Sequence, residues 1–247
     1  MGQLSVSFLG SGDAFNAQGR HHAAYFVRGA DAALLLDCGA TALASLKRDG
    51  ISAGDIDSIL LSHLHGDHFA GLPFLFLEYS WLEARRRPLR IVGPPGTEDR
   101  VMSLFRAIYP GPAAQSLPFP LEFTEALPDH PLRIGTAVME PFQVPHQEHE
   151  ISLGFALWLD GRHLVYSGDT GWTEQLVAHS QGADLLICEC SFFETRVWFH
   201  LDYPRLAENR DRFGARRIIL THLGREVLAR REEIEMPLAE DRLVIQI

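Results

Sequence analysis

The chain has 247 residues, 46% of them hydrophobic and 22% charged, with a formal net charge of −10. That length supports a core without staples, and the apolar content excludes a disordered polyelectrolyte. No apolar run reaches the roughly 18 residues of a membrane span. The acidic balance weighs against a long nucleic acid as main substrate, because such proteins carry a basic face that releases counterions. The first residues show neither a basic segment nor the long apolar stretch of a secretory signal. Cys38, Cys188 and Cys190 are an odd, sparse set, so a reducing, cytoplasmic compartment is expected. Twelve histidines stand out and point to metal or proton chemistry.

In chain order, residues 4–9, 23–27 and 33–36 are short apolar runs separated by Gly, Asn and Asp, which predicts strands. A helix is predicted over 40–48, stopped by Asp49-Gly50. A strand at 58–61, a helix over 71–85, a strand at 89–92 and a helix over 97–108 follow. Residues 109–120, rich in Pro and Gly, read as the one linker-like segment. Beyond them, strands are predicted at 132–144 with a turn at Gly135, at 152–159, and at 162–167 after Asp160-Gly161. A helix at 173–179, a strand at 184–188, a helix at 204–213 and strands at 217–220 and 243–247 complete the series. Hairpin-like runs mixed with strand–helix alternation predict a single α/β domain over residues 1–247, with mixed sheets rather than a doubly wound parallel one. Gly10-Ser11-Gly12 is no dinucleotide fingerprint, since Phe15 stands where the third glycine belongs and no helix opens there. It reads as a tight turn.

The decisive segment follows the strand at 58–61. His63, His65, Asp67 and His68 crowd into six residues. On an extended backbone His63 and His65 project to one side, and Gly66 then permits a sharp turn before Asp67 and His68. Three imidazoles and a carboxylate at this spacing suit zinc or a similar divalent ion. A polar surface loop rarely concentrates them beside an apolar strand.

His63-x-His65-x-Asp67-His68 resembles the signature of the metallo-β-lactamase superfamily, and matching motifs run through nearly the whole chain. The resemblance implies a four-layer αββα sandwich with two mixed sheets and a dinuclear site at one edge. Asp37, closing Leu34-Leu35-Leu36-Asp37, resembles the aspartate that supports the ligand loop. His146 after Val144-Pro145, Asp169 in Ser167-Gly168-Asp169-Thr170, and His222 after Leu220-Thr221 resemble the later ligands. By analogy His63, His65 and His146 hold one ion, Asp67, His68 and His222 the other, and Asp169 spans both. Two divalent ions are implied, zinc first, with manganese or iron as alternatives. His21, His22, His130, His149, His163 and His179 match no motif and default to solvent.

The segment Phe8-Leu9-Gly10-Ser11-Gly12-Asp13-Ala14, followed by Arg20, resembles the ribonuclease Z and phosphodiesterase branch. Cys188-Glu189-Cys190-Ser191-Phe192 is similar to that branch's His-Glu-Ala-Thr-Phe segment, with Glu189 matching. His200 alone matches the branch's His-Ser-Thr segment. The tRNA-processing members carry a long arm between the third histidine and the bridging aspartate, whereas His146 and Asp169 are 23 residues apart here. The expected activity is therefore hydrolysis of a small phosphodiester or a short nucleic acid, with a metal-bridging hydroxide attacking phosphorus. Asp67 is the expected proton acceptor, His200 the expected acid, and Glu189 the group that orients His200. The same centre cleaves thioesters and other acyl bonds, so an acyl hydrolase is the alternative. Only 25 residues follow His222, where thioesterases of the glyoxalase II kind add a helical region. A non-catalytic metal-binding scaffold subunit is the alternative from another class. No membrane partner is expected, and the family's habit points to a homodimer. The Arg85-Arg86-Arg87 run with Arg90 reads as a solvated helix end rather than a phosphate contact.

Overall fold

The computed structural model describes residues 4–247. The first half runs β1 (Ser5–Gly10), β2 (Ala24–Arg28), β3 (Ala33–Leu36), α1 (Ala42–Arg48), β4 (Ser58–Leu60), α2 (Gly66–Phe69), α3 (Leu72–Trp81), β5 (Leu89–Gly93), α4 (Thr97–Ile108), α5 (Pro110–Ala113) and β6 (Leu121–Glu125). The second half runs β7 (Leu132–Ile134), β8 (Ala137–Val144), β9 (Ser152–Leu159), β10 (Arg162–Tyr166), α6 (Glu174–His179), β11 (Leu185–Glu189), α7 (Tyr203–Glu208), β12 (Ile218–Thr221), α8 (Arg225–Ala229) and β13 (Val244–Gln246). Among the described residues no helix is long and apolar enough to cross a membrane.

Side-chain alternation sets the layers. In β2, Tyr25 and Val27 face the opposite sheet while Ala24 and Phe26 face the helices; in β3, Leu34 and Leu36 face in while Ala33 and Leu35 face out. Both faces are apolar, so each sheet is covered twice. One sheet has the order β13-β1-β2-β3-β4-β5-β6, and the other β12-β11-β10-β9-β8-β7. Each mixes antiparallel hairpins with a parallel run: β3 to β6 in the first, β10 to β12 in the second. The inter-sheet core holds Phe8, Tyr25, Phe155 and Tyr166. Separate clusters pack α1, α3 and α4 on one outer face, and α6, α7 and α8 on the other. This is the expected αββα sandwich.

Several expectations are corrected. The helix expected over 71–85 stops at Trp81. Beyond it, Arg85 is buried and donates to the carbonyls of Ile56, Arg87 and Pro88. Arg87 pairs with Asp57 and reaches the carbonyls of Gly54, Asp55 and Ile56. The arginine run therefore clamps a turn and is no solvated helix end. Residues 109–120 are not a linker, because they include α5 and pack Tyr109, Leu117 and Phe119 on the outer core. Strand β6 went unread because its edge position leaves it half exposed, with no clean alternation. The helix expected at 204–213 ends at Glu208. Gly66 makes no sharp turn: it opens α2, and a Cβ there would meet only the Ala70 Cβ at 3.9 Å.

Candidate metal centre

Six strands end at one edge of the sandwich and deliver the polar residues there. Asp37 follows β3, residues 61–68 follow β4, and His146 follows β8. Asp169 follows β10, Glu189 ends β11, and His222 follows β12. Two of these residues take the left-handed backbone conformation, Asp37 at φ 55° and His222 at φ 53°. Such conformations cost of order 1–3 kcal/mol and persist where the surroundings over-determine them. Gly168 needs the same conformation (φ 59°), and a Cβ on it would lie 2.5 Å from the Leu153 carbonyl. That glycine is what lets Asp169 turn inward.

The structure brings His63, His65, Asp67, His68, His146, Asp169 and His222 together. They form two donor groups, His63/His65/His146 and Asp67/His68/Asp169/His222, each with ligating atoms within 4.8 Å of one another. Asp169 Oδ2 lies 3.3 Å from the Nε2 atoms of both His68 and His222, 3.8 Å from that of His146, and 3.9 Å from that of His63. Asp67 Oδ2 is 3.2 Å from His222 Nε2 and 3.3 Å from His68 Nε2. His65 Nδ1 is 3.1 Å from His146 Nε2.

Outer partners fix which nitrogen each ring presents. His68 Nδ1 donates to Asp37 Oδ2 at 2.7 Å, and His63 Nδ1 to Ser62 Oγ at 3.0 Å. His146 Nδ1 donates to the Phe199 carbonyl at 2.9 Å, and His222 Nδ1 to Ser191 Oγ at 2.9 Å. The Nε2 atoms of these four rings therefore face the cluster, the arrangement a metal-binding imidazole requires. His65 is turned the other way: Gln147 Nε2 meets its Nε2 at 3.0 Å and leaves Nδ1 inward. Asp37 holds the whole loop, accepting from Ser62 N–H, Ser62 Oγ, His68 Nδ1 and the Tyr166 hydroxyl. Asp37→Asn should weaken divalent-metal affinity by roughly 10–100-fold while the fold persists. Competition with a chromophoric chelator measures this, and an unchanged affinity would leave Asp37 with a purely structural role.

Burial drives the His63, His65 and His146 imidazoles toward the neutral form, well below the ordinary range in the case of His63. Burial pulls the same way on His68 and His222, but Asp169 and Asp67 more than reverse it and raise both. The two carboxylates are correspondingly held ionised against the cost of burial. His63 Nε2 and Asp169 Oδ1 are buried with no hydrogen-bond partner. Buried polar atoms rarely go unpaired unless a ligand takes them. The donor set, the orientation of the His63, His68, His146 and His222 rings, and these orphaned atoms fit divalent metal binding, and His65 would join them with its proton moved to Nε2.

At the rim, His200 Nδ1 donates to Glu189 Oε1 at 2.7 Å. Glu189 is wholly buried and also accepts from Thr170 N–H, Ser191 N–H and Ser191 Oγ. Burial alone would lower the His200 pKa, yet the Glu189 carboxylate raises it to about 9. A cavity of about 470 Å³ opens over the cluster, with His65, Asp169, His200 and the acidic Glu148 and Glu150 in its walls. A larger one, about 780 Å³, lies between β12 and β13, but its lining offers no histidine or cysteine and so no comparable chemistry.

Four of the histidines left to solvent are placed otherwise: the half-buried His21 has its Nδ1 2.6 Å from Ser45 Oγ. His163 stacks on Trp158 and His179 on Phe142. His22 is half-buried with neither ring nitrogen bonded, near enough to Asp67, His68 and His222 to feel their charges. Gly39 brings it there, since a Cβ on Gly39 would lie 2.5 Å from the His22 Cβ. Ser191, quoted within a motif but given no role, and Gln147, not named at all, also act at the site. Each adjoins a named motif residue, and that adjacency was the only available signal.

Residues 4–243 match the sequence profile of the family described as anti-Pycsar protein Apyc1. The chain is similar to Ribonuclease Z of Ignicoccus hospitalis, 29% identical over 96% of this chain and 92% of the relative. It is also similar to Ribonuclease Z of Lachnoclostridium phytofermentans, 28% identical over 89% and 87% of the two chains. Among solved structures, human tRNase Z, short form, superposes with a TM-score of 0.80 at 27% identity, covering 98% of each chain. The metallo-β-lactamase fold protein YhfI from Bacillus subtilis superposes with a TM-score of 0.81 at 22% identity, covering 98% of this chain and 99% of that one. A profile match over nearly the whole length places the chain in the family of the anti-Pycsar protein Apyc1, within the metallo-β-lactamase superfamily.

Proposed function

We propose that the protein is a metal-dependent phosphodiesterase acting on a small phosphodiester or a short nucleic acid, with two divalent ions, zinc first, in the cluster. The observation that carries this reading is the pairing of buried Glu189 with half-buried His200 at the rim of seven convergent donors. His63, His65 and His146 would hold one ion, Asp67, His68 and His222 the other, with Asp169 shared. Bound there, the ions would supply a water of lowered pKa and neutralise charge on the phosphoryl oxygens. The protein's own residues do the rest. Asp67, ionised at the cavity wall, can accept a proton at Oδ1, the oxygen not engaged by His68 and His222. His200, protonated and with Nδ1 engaged by Glu189, keeps Nε2 for the leaving oxygen.

Substrate size follows from the rim and the topology. The stretch between His146 and Asp169 is filled by the β9–β10 hairpin, with no room for an arm. The alignment with the Ignicoccus relative spans 286 positions, more than this chain's 247 residues, so that relative carries insertions absent here. Glu148 adds negative charge beside the cavity, which disfavours a polyanion, while Glu150 is paired with Arg100. The test is a hydrolysis panel with zinc- or manganese-loaded protein. Bis-p-nitrophenyl phosphate and other small diesters should be cleaved, and precursor tRNA poorly at physiological salt. Preference for a thioester or a β-lactam would overturn the reaction class, and efficient site-specific trimming of precursor tRNA would overturn the size limit.

A further inference from the structure

We infer that Glu226 is a positioning residue: it grips the backbone of residues 193–195 and so fixes the loop that carries His200, an inference that rests on the phosphodiesterase reading. Residues 190–202 link β11 to α7, and they touch the centre at three points. Ser191 Oγ accepts from His222 Nδ1, the Phe199 carbonyl accepts from His146 Nδ1, and His200 itself stands at the rim. The two ends of the loop are tied. Cys190 N–H donates to the Thr221 carbonyl, Phe192 N–H to the Leu201 carbonyl, and Tyr203 N–H to the Phe192 carbonyl. Between them, from Phe193 to His200, no N–H among the described residues donates to a backbone carbonyl. A segment without a ladder of its own stays ordered only where other contacts offset its conformational entropy.

Glu226, in the first turn of α8, supplies those contacts. Its Oε2 accepts from the N–H groups of Phe193 at 3.1 Å, Glu194 at 2.8 Å and Thr195 at 3.0 Å, and its Oε1 from the Thr195 hydroxyl. Bonds to an ionised carboxylate are of the stronger, charge-assisted kind. Burial would raise the Glu226 pKa, yet the Thr195 hydroxyl and the three N–H donors hold it at about 2, so it stays ionised near neutral pH. Arg230, one turn on, lies 4.9 Å over the Phe193 ring and pairs with Glu194.

The helix is a firm base for this grip. It opens three residues after His222, and its Val227 and Leu228 sit in the outer core. Gly224 lets the loop lie against it, since a Cβ there would be 2.1 Å from the Ser191 carbonyl. Glu189 fixes which nitrogen His200 presents; Glu226 fixes where the loop holds the ring.

The test compares Glu226→Ala and Glu226→Gln with the parent, all zinc-loaded, on a diester with an alkoxide leaving group and on bis-p-nitrophenyl phosphate. Glu226→Ala should lower kcat on the alkoxide diester roughly 10–100-fold, the cost of a misplaced group. It should leave KM, metal content and the p-nitrophenyl rate near those of the parent. Glu226→Gln keeps an acceptor oxygen without the charge and should fall between the two. In a His200→Ala background, Glu226→Ala should cost nothing further, because its effect runs through that ring. Equal loss on both substrates, or a further loss of the same size without His200, would overturn the positioning role. Hydrogen exchange gives a readout independent of the reaction: amides 193–195 should be protected in the parent and freed in Glu226→Ala, with β11 and β12 unchanged. Unprotected amides in the parent would overturn the grip. If they are protected and then freed but the parent cleaves no diester, the grip stands and the phosphodiesterase reading falls.

Discussion

His200→Ala should keep the fold and the full metal content yet lose roughly 10²–10⁴-fold in rate on a diester with an alkoxide leaving group. The loss should shrink on p-nitrophenyl esters, because p-nitrophenolate departs without needing a proton. Glu189 holds one ring nitrogen from a fully buried position, so removing the imidazole leaves the cluster's own partners untouched. The pH profile gives a second readout. The His200 pKa is about 9 beside Glu189, and bound cations would draw it downward. The acid is present below its pKa and lost above it, so the alkoxide rate should fall as pH rises toward 9 while the p-nitrophenyl rate does not. Equal loss on both substrates, or depleted metal, would return His200 to structure or ligation.

Asp169→Ala should have the largest effect on the centre itself. Parent protein reconstituted with excess zinc should approach two ions per chain by elemental analysis, and the variant one or none. Loss of an interaction worth several kcal/mol in the transition state corresponds to roughly a thousandfold or more in rate. The carboxylate sits against the imidazoles of His63, His68, His146 and His222, so no neighbour can replace it. Because His68 and His222 hold protons that a metal must displace, affinity in the parent protein should fall as pH is lowered. A plateau at one ion in the parent would break the dinuclear assignment. Unchanged stoichiometry in the variant would remove Asp169 from it.

The legible part of the site was the part written contiguously. His63, His65, Asp67 and His68 are neighbours in sequence, and each remaining donor follows an apolar strand whose periodicity marks its end. Asp37 was legible in the same way, although the triple load on its Oδ2 was not. What escaped depends on backbone paths that no periodicity encodes. His22 approaches the cluster through the bare backbone of Gly39, and Asp37 and His222 turn toward it through left-handed backbone. The arginine run was misread for a related reason: whether Arg85 meets water or carbonyls is decided by where residue 56 lies. Short helices such as α2 and α8, four and five residues long, fall below the length at which a helical stripe can be recognised.

The donors are divided between the two sheets, residues 63–68 after a strand of one and His146, Asp169 and His222 after strands of the other. Neither half of the chain can present the full set, so the centre comes into being only when the sheets dock across the core of Tyr25, Phe155 and Tyr166. Metal capture is thereby a late event in the life of the polypeptide, and it discriminates finished molecules from half-made ones. A bound ion would act as a rivet at the open end of the seam. Fluctuations that part the sheets, rather than those that fray a helix, would then govern how fast metal escapes.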